Sequence, residues 1–200
     1  VTKQRSIDDA LIKLDGTTDK SRLGGNSMAS VSAAVLKAAA SSAVLPLYQY
    51  IGGVNTCILP VPDSGAFGGS TRYGGGAPGK VTGGKPSHEF VCYGFKTFSE
   101  ASYAGWEVSK EFARLITEKF NLPHVSGQEW GAYRSLDTVL PKDSVQHDRE
   151  LWNLMVQAIE DTGYRNRIGI QIDVAANAYF DEGKNKYVGL FSSEEKTRED

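Results

Sequence analysis

The sequence predicts an α/β fold, on three observations. From residue 58 onward the chain reads strand, long loop, strand, helix, strand, helix, strand, the order of units that stack helices on a sheet. Positions 168, 170 and 172 are all isoleucine, which is the period of two of a strand built from β-branched residues. Asp173 closes that strand and leads into small residues. A carboxylate at the carboxyl end of a strand is where α/β barrels place metal ligands and catalytic groups. The same aspartate also suits a cap on the turn that follows.

The elements follow in order. Apolar residues Ile7, Ala10, Leu11 and Leu14 share one helical face, Asp8 and Asp9 suit the positive end of the helix dipole, and Gly16 stops the helix. Leu23 to Ser27 opens a second helix reaching Ser42, with Val31, Ala34, Val35 and Ala38 at helical spacing. Pro46 to Ile51 reads as a short helix, and Gly52 to Thr56 as a turn. Ile58 to Pro62 is expected to be the first strand of a new unit. The Gly-rich stretch 63–87, which carries Arg72, Lys80 and Lys85, reads as a loop serving as a functional lid or as a flexible linker. It lacks the spacing of a phosphate loop.

His88 to Tyr93 makes the next strand, and two strands joined by such a loop can pair antiparallel. Phe98 to Phe120 is a long amphipathic helix whose stripe is Ala101, Ala104, Val108, Phe112, Leu115 and Phe120. Residues 121–123 end it, and His124 to Glu129 is strand-like. Asp148 to Thr162 is a second amphipathic helix, presenting Leu151, Leu154, Met155, Ala158 and Ile159, with Gly163 as its carboxyl cap. Glu89 therefore stands at the start of one strand, while Glu129 and Asp173 end two successive ones.

Composition narrows the function. Two hundred residues with 40% hydrophobic and 23% charged side chains make a folded globular chain. A formal charge of -2 supplies no overall basic field for nucleic acid or an anionic membrane. The longest apolar stretches, such as Ala29 to Ala40, are interrupted by Ser and Lys and fall short of the roughly 20 residues a bilayer requires. Cys57 and Cys92 are too few and too distant for a disulfide framework or a zinc motif, and are expected to be buried thiols of a reducing compartment. His124 and His147 have no partner at metal-ligand spacing and read as surface or packing residues. The start at Val1 without a signal core, and the polar run 192–200, suggest a piece of a longer chain.

Several motifs in fixed order carry a resemblance. They are Leu14-Asp-Gly-Thr-Thr-Asp-Lys-Ser-Arg-Leu-Gly-Gly-Asn26 followed by Ser30-Val-Ser-Ala-Ala-Val35, then Pro46-Leu-Tyr48, Leu59-Pro-Val-Pro62, Gly68-Gly-Ser70, Glu89-Phe90 and Ile172-Asp-Val-Ala-Ala176. They resemble the enolase family, the phosphopyruvate hydratases of glycolysis, from the amino terminus to about Tyr187. The resemblance implies that residues 1–55 are the helical end of an α+β amino-terminal domain. It also implies that 56–200 enter a partial enolase-type β/α barrel, the Gly-rich loop 63–87 included.

The resemblance also assigns roles. Asp173 matches the first of three magnesium-binding carboxylates, Glu129 the acid that helps protonate the departing hydroxyl, and Glu89 its active-site partner. Ser70, Thr71, Arg72 and His88 fall on the substrate-binding side. The chemistry is proton abstraction beside a carboxylate, where cations stabilise the enolate and an acid expels hydroxide. The implied cofactor is Mg2+, the implied partner a phosphorylated small molecule, and the implied setting a cytoplasmic homodimer or larger assembly, without nucleic acid or membrane.

The chain departs from the family's pattern at the site. Thr71 replaces the loop histidine, His88 a glutamine, Gln128 an aspartate and Trp130 a glycine. Trp130 beside Glu129 is expected to shield it from water. The remaining metal carboxylates, the lysine base and the His-Arg-Ser group belong to later barrel strands. This chain by itself is therefore expected to be inactive, with dehydration of 2-phosphoglycerate as the parent activity. A non-catalytic structural or binding component, or the same chemistry on another substrate, stands as the alternative.

Overall fold

The computed structural model describes residues 3–68, 87–122, 140, 143–147 and 149–200. The chain splits into two compact units, Val1–Ile58 and Leu59–Asp200.

The first unit is helical: α1 (Gln4–Asp15), α2 (Gly25–Ser42) and α3 (Leu47–Gly52). Gly16 ends α1 at φ 74, a left-handed value that glycine adopts without strain, and its N–H returns to the Ile12 carbonyl. Asp15 then organises the connection to α2. Only 1% exposed, its carboxylate accepts from the Leu23 N–H at 2.6 Å, the Thr17 N–H at 3.0 Å and the Thr17 hydroxyl. These bonds, the Thr17 hydroxyl foremost, hold its pKa below the ordinary 3.8. The Leu14 to Asn26 motif thus spans the end of α1, a connection folded around one carboxylate, and the start of α2. Gln4 ties the two helices, donating to Ser32 Oγ at 2.7 Å and to the Ser32 carbonyl at 3.1 Å. Within α2 the buried residues are Met28, Ala39 and Ala40, so the expected stripe of Val31, Ala34, Val35 and Ala38 stays partly or wholly exposed.

The second unit is built on an antiparallel sheet of order β1-β2-β3: β1 (Asp63–Gly68), β2 (Ser87–Val91) and β3 (Gly169–Asp173). Helices α4 (Phe98–Lys119) and α5 (Arg149–Asp161) pack on each other, and α4 lies on β1 and β2. A complete capping box starts α4: the Glu100 N–H donates to Thr97 Oγ, and the Thr97 N–H to Glu100 Oε2, each at 3.2 Å. Of its expected stripe Ala101, Ala104, Val108, Phe112 and Leu115 are all buried, while Phe120, at the carboxyl cap, is partly buried. Leu151, Leu154, Met155, Ala158 and Ile159 of α5 are all buried. Phe90 from β2 meets Phe112 edge-on at 6.0 Å in the centre of this core.

The first strand lies later than the sequence suggested. Residues 58–62 form no strand, and pairing begins at Asp63. Pro60 and Pro62 carry no N–H to donate to a ladder, although the Pro62 carbonyl still accepts from the Cys92 N–H at 3.0 Å. Left outside the sheet, Ile58 and Leu59 are 89% and 65% exposed. Cys57, expected to be buried, is exposed for the same reason, while Cys92 is buried as expected. A register shift between Gly65 and Phe67 brings both Ala66 and Phe67 into the core.

After β3 comes a 3-10 turn at Ala176–Ala178, then a second small antiparallel sheet that the sequence did not announce. It comprises β4 (Phe180–Asp181), β5 (Lys186–Val188) and β6 (Glu195–Lys196). Its strands are two or three residues long, too short for a period of two to register. The expected strand-like piece 124–129 lies outside the described residues.

Candidate functional site

The pleat of β2 sorts its side chains onto two faces. Ser87, Glu89 and Val91 are half-buried on one, and His88 and Phe90 are fully buried on the other. The antiparallel register with β3 sets Ser87 against Asp173, Glu89 against Gln171 and Val91 against Gly169. Directly paired residues share a face, so Glu89, Gln171 and Asp173 stand together on the side away from the buried core. Glu89 and Asp173 are diagonal neighbours, about 7–8 Å apart for such a pair. The Gln171 amide donates to Glu89 Oε2 at 2.7 Å. On the other flank of β2, Asp63 lies against Val91 and Gly65 against Glu89, which adds a third carboxylate to this face.

His88 is separated from that group. One residue from Glu89, it points through the opposite face, where it is 2% exposed and stacked on Phe67 with ring centroids 3.9 Å apart. Trp152 of α5 lies 6.3 Å away, and Nδ1 has no hydrogen-bond partner among the described residues. Burial pushes its pKa down to about 4, against a smaller upward pull from a hydrogen bond with the Phe67 backbone. The ring is therefore a neutral core group near pH 7. The expected placement of His88 beside Glu89 on the substrate side follows adjacency in sequence, whereas the strand's alternation puts the two on opposite faces.

Ser70, Thr71, Arg72 and Glu129 lie outside the described residues, as does Trp130. Asp173 ends β3 on the solvent-facing side, and two residues on Ala175 holds φ 43, a left-handed value rare outside glycine. Backbone strain of this kind turns the chain sharply at the strand end. The Asp173 carboxylate offers the hard oxygen donor that a magnesium ion prefers. Among the described residues no group of three His, Cys, Asp or Glu side chains stands close enough to hold a metal ion. The Asp173 carboxylate is thus a donor of the fitting type, standing outside any such group.

Two members of this face escaped the sequence reading. Gln171 and Asp63 carry no motif of their own. The signal for Gln171 was present in the alternation that placed isoleucine at even positions, since 169, 171 and 173 must then share the other face. Asp63 was hidden by the assignment of its strand to residues 58–62.

Comparison with known proteins bears on both units. Residues 1–51 match the family profile described as "Enolase, N-terminal domain", and residues 57–200 that described as "Enolase, C-terminal TIM barrel domain". The chain is 38% identical over 188 residues to the enolase of Bifidobacterium animalis subsp. lactis, covering 93% of this chain and 40% of the relative. It is 33% identical to the enolase of Methanococcus vannielii, over 95% of this chain and 41% of the relative. With the enolase of Methanopyrus kandleri the identity is 35%, over 93% of this chain and 41% of the relative. The chain thus spans about 40% of the length of the curated relatives it matches.

Proposed function

The chain belongs to the enolase family, and on that premise we propose that the complete protein bearing these residues reversibly dehydrates 2-phosphoglycerate to phosphoenolpyruvate. The observation that carries the reading is the placement of Glu89 and Asp173, as diagonal neighbours, on one face of adjacent strands. In this proposal Asp173 contributes one carboxylate oxygen to a magnesium site, and magnesium supplies positive charge against the anionic groups of the substrate. Glu129 donates a proton to the leaving hydroxyl, which departs as water, and Glu89 stands beside it as its partner. Ser70, Thr71 and Arg72 bind the phosphorylated substrate. His88 acts from behind the sheet, by packing under the strand that carries Glu89.

We take the protein to act in the cytoplasm, in glycolysis, as a homodimer or within a larger assembly. This 200-residue chain is taken to lack turnover by itself. No described helix is long and apolar enough to cross a membrane.

The test is conversion of 2-phosphoglycerate by the complete protein, followed by phosphoenolpyruvate absorbance with and without magnesium. Magnesium-dependent turnover is expected, with Glu129→Gln lowering kcat about 10²–10⁴-fold, the usual contribution of a positioned acid. A folded, magnesium-binding protein without turnover would overturn the reading. The second reading, a non-catalytic component or an enzyme of the same chemistry on another substrate, draws on Thr71, Gln128 and Trp130, which replace family residues on the substrate side.

A further inference from the structure

We infer that Gln171 is a positioning residue for Glu89: facing it directly across the β2–β3 ladder, its side-chain amide holds one oxygen of that carboxylate in place. The inference rests on the dehydration proposed above and assigns to it a residue outside its roster of catalytic, metal and substrate-binding groups.

The geometry is that of an antiparallel pair. Glu89 and Gln171 are register partners, so their Cβ atoms start about 4.5–5.5 Å apart and point the same way. The amide closes the remaining gap to Glu89 Oε2 at 2.7 Å. Gln171 is exposed and adds nothing to the buried core, in contrast to Ile168 and Phe90.

The chemical type of the partner also matters. A lysine or arginine at position 171 would bind the carboxylate and add positive charge to the face that holds Asp63 and Asp173. The neutral amide restricts the Glu89 rotamer without changing the charge of that face. A carboxylate held by one oxygen keeps a defined direction for the other, and catalytic groups need placement within a fraction of an ångström.

The experiment compares wild type, Gln171→Leu, Gln171→Asn and Gln171→Glu in the complete protein, measuring kcat and KM for 2-phosphoglycerate together with thermal midpoints. Gln171→Leu removes the amide donor and leaves an apolar side chain without hydrogen-bonding capacity. It is expected to lower kcat about three- to tenfold, the scale of one hydrogen bond, with KM and the thermal midpoint nearly unchanged. Gln171→Asn, one methylene shorter, is expected to behave like Gln171→Leu, and Gln171→Glu to be worse than either because like charges then face each other. In a Glu89→Gln background Gln171→Leu is expected to add no further loss. An active wild type with unchanged kcat in Gln171→Leu overturns this inference alone. So does a loss of kcat that tracks a fall in thermal midpoint, which marks a merely structural pair. An inactive wild type overturns the inference together with the dehydration it rests on.

Discussion

His88 and Glu89 are chain neighbours with opposite environments, and that contrast sets the first testable consequence. Buried against Phe67 and Trp152, His88 has its pKa lowered from 6.5 to about 4. The unfolded chain therefore binds more protons than the folded one between those values, so stability falls as pH drops from 6.5 towards 4 and levels off below. The full effect is on the order of 3 kcal/mol, the linkage equivalent of two to three pKa units. Urea unfolding at pH 7 and pH 4.5 measures it. In His88→Phe this component is expected to vanish, and an unchanged pH slope in that variant would remove His88 as its source. Asp15 works in the opposite chemical sense, since its hydrogen bonds favour the charged form. Its contribution is present above the ordinary 3.8 and is lost only as pH falls through the lower folded value. The two groups thus leave separate marks on an acid titration, His88 first.

At the scale of elements, α4 and its sheet meet through small residues. The Ser64 and Ser109 hydroxyls are 2.8 Å apart, and Ser109 Oγ also donates to the Gly65 carbonyl at 2.8 Å. Gly105 lies one turn earlier, where a Cβ would come within 2.9 Å of Cys92 Sγ and 3.0 Å of Ser64 Cβ. Gly105→Ala is therefore expected to destabilise the second unit by about 1–3 kcal/mol despite alanine's better helix propensity, the usual cost of overpacking. Denaturant titration of that variant checks the sign, which helix propensity alone would reverse. The helices were legible in the sequence because α4 and α5 carry long apolar stripes of period 3.6. The strands were less so. The run 58–62 is as apolar as a strand, but its prolines cannot pair, and the strand forms in the small residues that follow.

For the molecule as a whole, the boundary between units has a physical consequence. Residues 53–62 contain no regular helix or strand, and Val54 and Ile58 are 95% and 89% exposed. Limited digestion with thermolysin, which cuts before exposed aliphatic residues, is expected to cleave at or near Ile58 earlier than inside α4 or α5. Mass spectrometry of the first fragments reads the outcome, and a segment 53–62 that outlasts α4 would contradict the division. The sheet of the second unit, meanwhile, has β1 and β3 at its two edges, and the described residues form no closed barrel.

The sequence by itself determined the helices, the family, and the candidacy of Glu89 and Asp173, because periodicity, capping and ordered motifs are local properties written in consecutive residues. It could not determine which of those residues meet. Only the register between β2 and β3 decided that Glu89 faces Gln171 with Asp173 two residues along, and that His88 is turned into the core. The reason is that strand pairing joins positions some eighty residues apart in the chain, and a shift of one residue would exchange the two faces of the strand.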